Sequence, residues 1–187
     1  MRVIAGRFKS RRLRTLRGTS LRPTSDRLRE TLFDILGGTV HDSIFVDLFA
    51  GTGAIGIEAI SRGASQAVFV EKHAPAVKLI RENLKSLGIG AEVEILPIDA
   101  LHGLEKLASQ HARADFIFLD PPYAQADEYE RVLEFIGSAE LLSAAGVVIA
   151  EHTKKLELPL FAEALERRRV VVQGDSALSF YRVARAA

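Results

Sequence analysis

The chain has 187 residues, of which 48% are hydrophobic and 26% are charged, and it contains no cysteine. This size and composition predict a soluble globular protein, and no apolar run approaches the ~18 residues of a membrane span. Disulfides and thiolate metal sites are excluded, and the basic amino terminus lacks the apolar core of a secretory signal, so we expect a cytoplasmic protein.

The net charge of +1 is unevenly distributed along the chain. Residues 1–40 contain ten basic and three acidic side chains, whereas residues 41–187 contain 15 basic and 21 acidic ones. Nine of the ten N-terminal cations are arginine, whose planar guanidinium group suits phosphates and base edges. The segment therefore predicts a polyanionic partner, although a solvated extension explains a charge run alone equally well.

The first elements of the chain form a basic extension. Residues 2–6 and 12–16 are short stretches that form either a small hairpin or an extended arm. A helix with one apolar face follows Pro23, is capped by Thr24 or Ser25, and ends at the glycine pair 37–38. We divide the chain into an extension with a docking helix, residues 1–40, and a sheet domain, residues 41–187.

From residue 44 onward, apolar runs of strand length alternate with helical segments. The predicted strands are 44–49, 67–71, 92–97, 115–120, 146–151, 168–173 and 178–184. The predicted helices are 54–62, 74–87, 100–110, 127–137 and 159–166. Continuous apolar strands separated by helices indicate an α/β fold with a parallel sheet covered on both faces. The last two strands are joined by only four residues and must pair antiparallel.

A glycine-rich loop follows the first predicted strand, with glycines at 51, 53 and 56. Glycines at the carboxyl end of a strand allow a tight turn and a close approach of a ligand to the main chain. Glu71 ends the next strand, where a carboxylate can accept both hydroxyls of a ribose. The pattern favours a nucleoside-containing cofactor over a tight turn without a ligand.

Two further acids narrow the type of cofactor. Asp47 lies four residues before Gly51, where a carboxylate repels a pyrophosphate but suits the ammonium group of an amino acid. Asp99 follows the third predicted strand, where it either binds an adenine amino group or caps a helix. Together with Glu71, these residues favour S-adenosylmethionine over a phosphorylated dinucleotide.

The fourth strand of the sheet ends in Asp120, Pro121, Pro122 and Tyr123. The two prolines remove backbone donors and end the strand in a rigid turn. Asp120 and the carbonyl group of Pro121 can accept both hydrogens of an exocyclic amine, while Tyr123 stacks on the base. Such a clamp favours the pyramidal nitrogen needed for attack on a sulfonium methyl group, and it requires a flipped or unpaired base.

Four segments carry a resemblance to a known family: residues 2–6, 21–30, 46–64 and 119–123. They resemble class I methyltransferases with the [D/N]PP[Y/F] signature and, more narrowly, the RsmD-type bacterial 16S rRNA guanine-N2 methyltransferases. The likeness covers nearly the whole chain. It implies a Rossmann-like seven-stranded sheet of order 3-2-1-4-5-7-6 with the last strand antiparallel, and 16S rRNA as the partner, free or in an assembling small subunit. We expect a monomer.

The resemblance also implies roles for individual residues. Asp47, Phe49, Gly51 and Gly53 would line the methionine end of the cofactor, with Glu71 at the ribose and Asp99 at the adenine. Residues 120–123 would hold the target guanine. The RNA-binding residues would be Arg2, Arg7, Lys9, Arg11, Arg12, Arg14, Arg22, Thr24 and Arg29. No metal is expected, because the five histidines lack metal-ligand spacing.

Three alternatives remain open from the residues alone. The same tetrapeptide serves DNA methyltransferases that act on adenine N6 or cytosine N4, although this chain has no sizeable insertion for target recognition. A nicotinamide-dependent oxidoreductase would use a similar glycine loop. The third alternative is a non-catalytic RNA-binding protein with a relic pocket.

Overall fold

The computed structural model describes residues 1–15, 25–122 and 126–184. Its helices are α1 (Asp26–Leu36), α2 (Ala54–Ser61), α3 (Ala74–Leu87), α4 (Ala100–Ser109) and α5 (Asp127–Ser138). Its strands are β1 (Ile44–Leu48), β2 (Gln66–Val70), β3 (Val93–Leu96), β4 (Ala114–Leu119), β5 (Leu142–Thr153), β6 (Phe161–Ala162), β7 (Leu165–Gln173) and β8 (Ser176–Val183). None of the described helices is long and apolar enough to cross a membrane.

The strands form one mixed sheet in the order β3-β2-β1-β4-β5-β8-β7-β6. The first five strands in this order are parallel, whereas β8 is antiparallel to both β5 and β7. The expected order 3-2-1-4-5-7-6 with an antiparallel last strand is therefore confirmed, and the two-residue strand β6 is an addition at the edge.

The sheet buries an apolar core on each face, so the protein has three layers. One core lies between the sheet and α1, α2 and α3, and it contains Phe45, Phe69 and Phe116 of the strands. The other core lies between the sheet and α4 and α5, and it contains Val46 and Val68. Neighbouring residues along β1 and β2 thus pack on opposite faces of the sheet, which explains why these strands are apolar at most positions.

The basic extension packs against the sheet domain instead of standing free. An isolated antiparallel bridge joins Arg2 to Arg12, as the hairpin expectation required, with a single helical turn at Gly6–Phe8 between them. Val3, Phe8 and Leu13 are buried in the same core as α1 and α2. The extension and the sheet thus share one hydrophobic core. The division of the chain into two parts at residue 40 stays a prediction.

Helix α1 has the ends that the sequence predicted. The hydroxyl group of Ser25 accepts a hydrogen bond from the amide of Leu28 at 3.1 Å, so Ser25 is the cap. Gly37 ends the helix with φ of 54°, a left-handed value that glycine adopts without strain. Thr24, the other candidate for the cap, lies outside the described residues.

The predicted helix at 159–166 is wrong. Residues of this stretch form β6, a turn with a positive φ at Glu163, and the first residues of β7. Phe161 pairs with Glu166, and Ala162 pairs with Leu165. The composition of the stretch favours a helix, but pairing with the sheet edge and burial of Ala162 and Leu165 outweigh that weak local preference.

Strand β7 is irregular where it runs beside β8. Its register shifts between Arg167 and Arg169, which is a β-bulge. Beyond the bulge, Val170 and Val172 are 45% and 59% exposed. Since β6 pairs with only Leu165 and Glu166, this part of β7 lies at the edge of the sheet.

Helix α2 packs closely against the sheet at Gly56. A Cβ atom at residue 56 would lie 2.4 Å from Cε1 of the buried Phe69 ring, far inside van der Waals contact. The third glycine of the loop is therefore required for packing of the helix on the strand.

We expect Gly56→Ala to lower the free energy of unfolding by about 1–3 kcal/mol, the usual cost of overpacking a core. Gly90→Ala is the matched control, because no atom lies within 4 Å of a Cβ there. Urea denaturation of both variants checks this, and equal stabilities would contradict the packing argument.

Candidate active site

The parallel register brings the ends of three strands to one edge of the sheet. Leu48, the last residue of β1, pairs with Val70 of β2 and with Leu119 of β4. The loops that follow these three residues therefore start side by side at the same edge of the sheet. The sequence motifs predict that the cofactor and the target base bind at this edge. The prediction follows the rule that open α/β sheets bind ligands beyond the carboxyl ends of their strands.

The glycine turn after β1 has an unusual backbone. Phe49, Gly51 and Gly53 have φ values of 61°, 54° and 75°, all in the left-handed region. For Phe49 this conformation is strained, and such strain concentrates at functional sites. Glu71 supports the turn, because its Oε2 accepts a hydrogen bond from the amide of Gly51 at 2.8 Å and its Oε1 accepts one from the amide of His73 at 2.7 Å.

Asp47 lies below this turn and is 2% exposed. Its Oδ2 accepts a hydrogen bond from the amide of Gly56 at 3.0 Å. Burial raises the pKa of Asp47 to about 8, the charge of Glu71 adds to this rise, and the amide of Gly56 opposes it. A positively charged group bound in the turn would favour the ionised carboxylate, which agrees with the expected ammonium ligand.

Asp99 caps α4. Its Oδ1 accepts a hydrogen bond from the amide of His102 at 3.2 Å, and its Oδ2 contacts Nδ1 of the same residue. Burial alone would raise the pKa of Asp99, but hydrogen bonds from the side chain and backbone of His102 outweigh it and lower the pKa. The helix-cap alternative is thus realised, and the contact to adenine stays a prediction.

Asp120 follows β4 and lies in an acidic environment. Burial raises its pKa well above the usual range, and the negative charges of Glu151 and Asp47 raise it further. Glu151 is 4% exposed and lies on β5, one residue beyond the pairing of Ala150 with Leu119. Glu151 was not among the predicted site residues, and its only sign in the sequence is that an acid closes the apolar run 146–151.

The two prolines after Asp120 differ in their environment. Pro121 is buried and Pro122 is exposed, and β4 ends before them at Leu119, as the rigid turn predicted. Tyr123, the expected stacking residue, lies outside the described residues. Asp47 and Asp120 lie at the ends of neighbouring strands, and the charge of Asp47 contributes to the raised pKa of Asp120. The role of Tyr123 stays a prediction.

Most of the predicted RNA-binding residues lie on the surface of the extension. Arg2, Arg7, Lys9, Arg11, Arg12 and Arg14 are all exposed. Three of them have partners on the sheet domain: Arg7 pairs with Glu92 at 2.7 Å, Arg14 pairs with Glu82 at 2.8 Å, and Arg11 donates to the carbonyl group of Ser86 at 2.8 Å. Arg22 and Thr24 lie outside the described residues.

Arg29 is the exception, because its side chain has no exposed surface. Its Nη2 donates hydrogen bonds to the carbonyl group of Arg2 and to Asp26, and its Nε lies 3.9 Å from Oε2 of Glu58. Burial lowers the pKa of Arg29, against the charges of Glu58 and Asp26. The expectation that Arg29 contacts RNA is corrected, since a fully buried side chain holds the extension to α1 and cannot reach a phosphate.

The carboxylates at this edge of the sheet do not form a metal site. Within residues 1–15, 25–122 and 126–184, no group of three or more histidine, aspartate or glutamate side chains is arranged to hold a metal ion. The carboxylates of the site instead accept hydrogen bonds from backbone amides or lie beside other carboxylates. Burial raises the pKa of both Asp47 and Asp120, and a cationic organic ligand would favour their ionised forms.

Known proteins of similar sequence are named as methyltransferases. The profile of the family described as Conserved hypothetical protein 95 matches residues 1–182. The chain is 35% identical over 182 residues to YlbH of Bacillus subtilis, named as a candidate rRNA methyltransferase, and the match covers 97% of this chain and 98% of that protein. It is 29% identical over 181 residues to the ribosomal RNA small subunit methyltransferase D of Escherichia coli strain K12, with 97% and 89% covered.

Solved structures share the fold. The Escherichia coli protein yhhF, described as a candidate methyltransferase, superposes with a TM-score of 0.84 at 26% identity, and the match covers 98% of this chain and 97% of that one. Other structural neighbours include methyltransferases solved with S-adenosyl-L-homocysteine. At 17% and 18% identity, those neighbours show a shared fold alone.

The raised pKa of Asp47 predicts how the stability of the ligand-free protein depends on pH. The folded state keeps the proton of Asp47 up to about pH 8, whereas the unfolded state loses it near pH 4. The unfolded state therefore binds fewer protons between these values, and this group lowers stability as the pH rises through that window.

We expect Asp47→Asn to remove this effect, so that the variant gains about 1 kcal/mol over the wild type per pH unit between pH 5 and 7.5. Urea denaturation of the ligand-free proteins at several pH values measures the difference. Parallel stability profiles would show that Asp47 is ionised in the fold throughout.

Proposed function

Because the chain belongs to the Conserved hypothetical protein 95 family, we propose that it is a cytoplasmic rRNA methyltransferase that uses S-adenosylmethionine. More narrowly, we propose that it methylates the exocyclic N2 amine of a guanine in 16S rRNA. The observation that carries the proposal is the position of Asp120 and Pro121 directly after β4, beside the end of β1 where the glycine turn begins. The charge of Asp47 contributes there to the raised pKa of Asp120. A donor held by the turn and an amine held by Asp120 would share one crevice.

The residues of the turn fit the proposed cofactor. Asp47 would face the ammonium group of the methionine moiety, while Phe49, Gly51 and Gly53 bring the main chain close to it. Glu71 already uses its two oxygens for the amides of Gly51 and His73. Each carboxylate oxygen has a second lone pair, so Glu71 can also accept the hydroxyl groups of a ribose.

The chemistry of the step follows from the groups at the end of β4. When bound, S-adenosylmethionine supplies a methyl group on a positively charged sulfur. Asp120 and the carbonyl group of Pro121 would accept the two hydrogens of the base amine, which orients its nitrogen toward the donor. Because burial and neighbouring carboxylates raise the pKa of Asp120, its carboxylate is more basic than usual and can hold the proton that the amine releases.

The proposed substrate follows from the extension and the relatives. The exposed cations of residues 1–15 form a basic surface on the same molecule as an amine-binding crevice. The relatives act on rRNA by name, and one acts on the small subunit. A base within a helix cannot reach the crevice, so the target would be flipped out or unpaired.

Asp120→Ala is the direct test of the amine clamp. We expect transfer of tritiated methyl groups to 16S rRNA or small ribosomal subunits to fall by about 100-fold or more, since both the orientation and the proton acceptor are removed. Binding of S-adenosylhomocysteine by calorimetry should survive. Glu140→Ala is the control, because it removes an exposed carboxylate that pairs with Arg113.

The identity of the product separates the proposed reaction from its rivals. Mass spectrometry of the labelled RNA should give N2-methylguanosine. Methylation of duplex DNA at adenine or cytosine would replace the proposal, and binding of a nicotinamide dinucleotide without S-adenosylhomocysteine would refute it. Unchanged turnover of the Asp120 variant would refute the role of Asp120 in binding the amine, but it would leave the methyltransferase proposal intact.

A second prediction concerns the extension. Replacing Arg11, Arg12 and Arg14 by Gln should weaken binding to 16S rRNA and reduce the slope of log K against log salt by about 1 for each phosphate that is no longer neutralised. The matched control is the triple replacement of Arg168, Arg169 and Arg182, which are exposed on β7 and β8 near the β6 edge of the sheet. If both triple variants weaken RNA binding equally, the extension does not hold the RNA specifically.

A further inference from the structure

Asn83 of α3 makes hydrogen bonds to two parts of the molecule that have different proposed roles, the basic extension and the glycine turn. Its side chain has no exposed surface. Its Oδ1 accepts a hydrogen bond from the amide of Arg14 at 2.8 Å, and its Nδ2 donates to the carbonyl group of Arg14 at 3.2 Å. The same Nδ2 donates to the carbonyl group of Thr52 at 3.0 Å. One buried amide thus joins the basic extension to the glycine turn.

A second contact lies beside the first. The hydroxyl group of Thr52 donates to Sδ of Met1 at 3.8 Å, and the carbonyl group of Met1 accepts a hydrogen bond from the amide of Leu13 at 3.1 Å. Residues on both sides of the Arg2–Arg12 bridge are therefore linked to Thr52, Met1 directly and Arg14 through Asn83. The residue they reach lies between Gly51 and Gly53, at the centre of the turn proposed to hold the methionine end of the cofactor.

Two other anchors of the extension lie on α2, outside the glycine turn. The carboxylate of Glu58 accepts hydrogen bonds from the amides of Ile4 and Ala5 at 2.8 and 3.0 Å. The hydroxyl group of Ser61 accepts one from the amide of Phe8 at 3.0 Å and donates to the carbonyl group of Ala5. Both residues lie on α2 and hold the tip of the hairpin. Ser61 is also buried, which makes it a natural comparison for Asn83.

We propose that Asn83 is a positioning residue that couples the glycine turn to the basic extension, so that the cofactor and RNA strengthen each other's binding. The physical basis is that a buried amide loses a hydrogen bond if either partner moves, which disfavours independent motion of the two segments. A ligand that holds Thr52 in place also holds Arg14, and the converse is true for RNA. Such coupling is reciprocal by thermodynamic necessity.

The first experiment measures the coupling factor and rests on the proposed function. The dissociation constant of the full-length protein for a 16S rRNA transcript is measured by filter binding, with and without saturating S-adenosylhomocysteine. We expect the analogue to tighten RNA binding by about 5-fold or more in the wild type, the lower end of common allosteric coupling. In Asn83→Ala the ratio should fall to about 1, whereas Ser61→Ala should keep the wild-type ratio.

The outcomes separate the inference from the proposed function. A wild-type ratio of 1, or an Asn83→Ala ratio equal to that of the wild type, overturns the coupling and leaves the methyltransferase proposal intact. Failure of the wild type to bind S-adenosylhomocysteine at all counts against the proposed function itself. Loss of the ratio in Ser61→Ala as well as Asn83→Ala assigns the effect to general loosening of the extension and overturns the specific role of Asn83.

A second measurement uses only the wild-type protein, so it holds even where Asn83→Ala does not fold. Hydrogen exchange is followed with and without S-adenosylhomocysteine in the absence of RNA. The amide of Arg14, which donates to Asn83, should exchange several-fold more slowly with the analogue bound. The amide of Phe8, which donates to Ser61, should be unchanged. Protection of the glycine turn without protection of Arg14 overturns the inference.

Discussion

A hydrogen bond from the amide of Gly56 to Asp47 ties the first turn of α2 to the end of β1. Between these two residues the chain adopts three left-handed conformations, and beyond them α2 presses Gly56 against the ring of Phe69. Asp47 is buried at this position, and burial raises its pKa to about 8 although the hydrogen bond from Gly56 opposes the rise. The turn is therefore shaped before a ligand binds, and a bound cation would favour the ionised form of Asp47.

Much of the fold follows from local pattern. Continuous apolar runs predicted the parallel strands, and the short connection between the last two predicted their antiparallel pairing, because both features depend on neighbouring residues. The helix predicted at 159–166 failed for the opposite reason. Its residues have helical preferences, but the edge of β7 supplies backbone partners and a place to bury Ala162 and Leu165, which only the assembled sheet reveals.

Some residues of the candidate site could be predicted from the sequence, and others could not. The position of Asp47, Glu71 and Asp120 at one edge of the sheet was predictable, because acids at the ends of apolar strands stand out in a sequence and parallel strands bring such ends together. Glu151 obeys the same rule but lacks a glycine or proline motif beside it. Arg29 was misassigned because its charge resembles that of its neighbours, whereas its burial depends on contacts with residues 2 and 58 that are distant in sequence.

The irregularity of β7 has a consequence for association of the protein with copies of itself. An exposed strand edge with apolar side chains is a template for strand addition by another chain, and Val170 and Val172 would make β7 such a template. The bulge between Arg167 and Arg169 breaks the regular spacing of the backbone donors and acceptors, and charged side chains lie beside it. Removing one residue at the bulge would straighten this strand, and the protected edge of the sheet would become prone to aggregation.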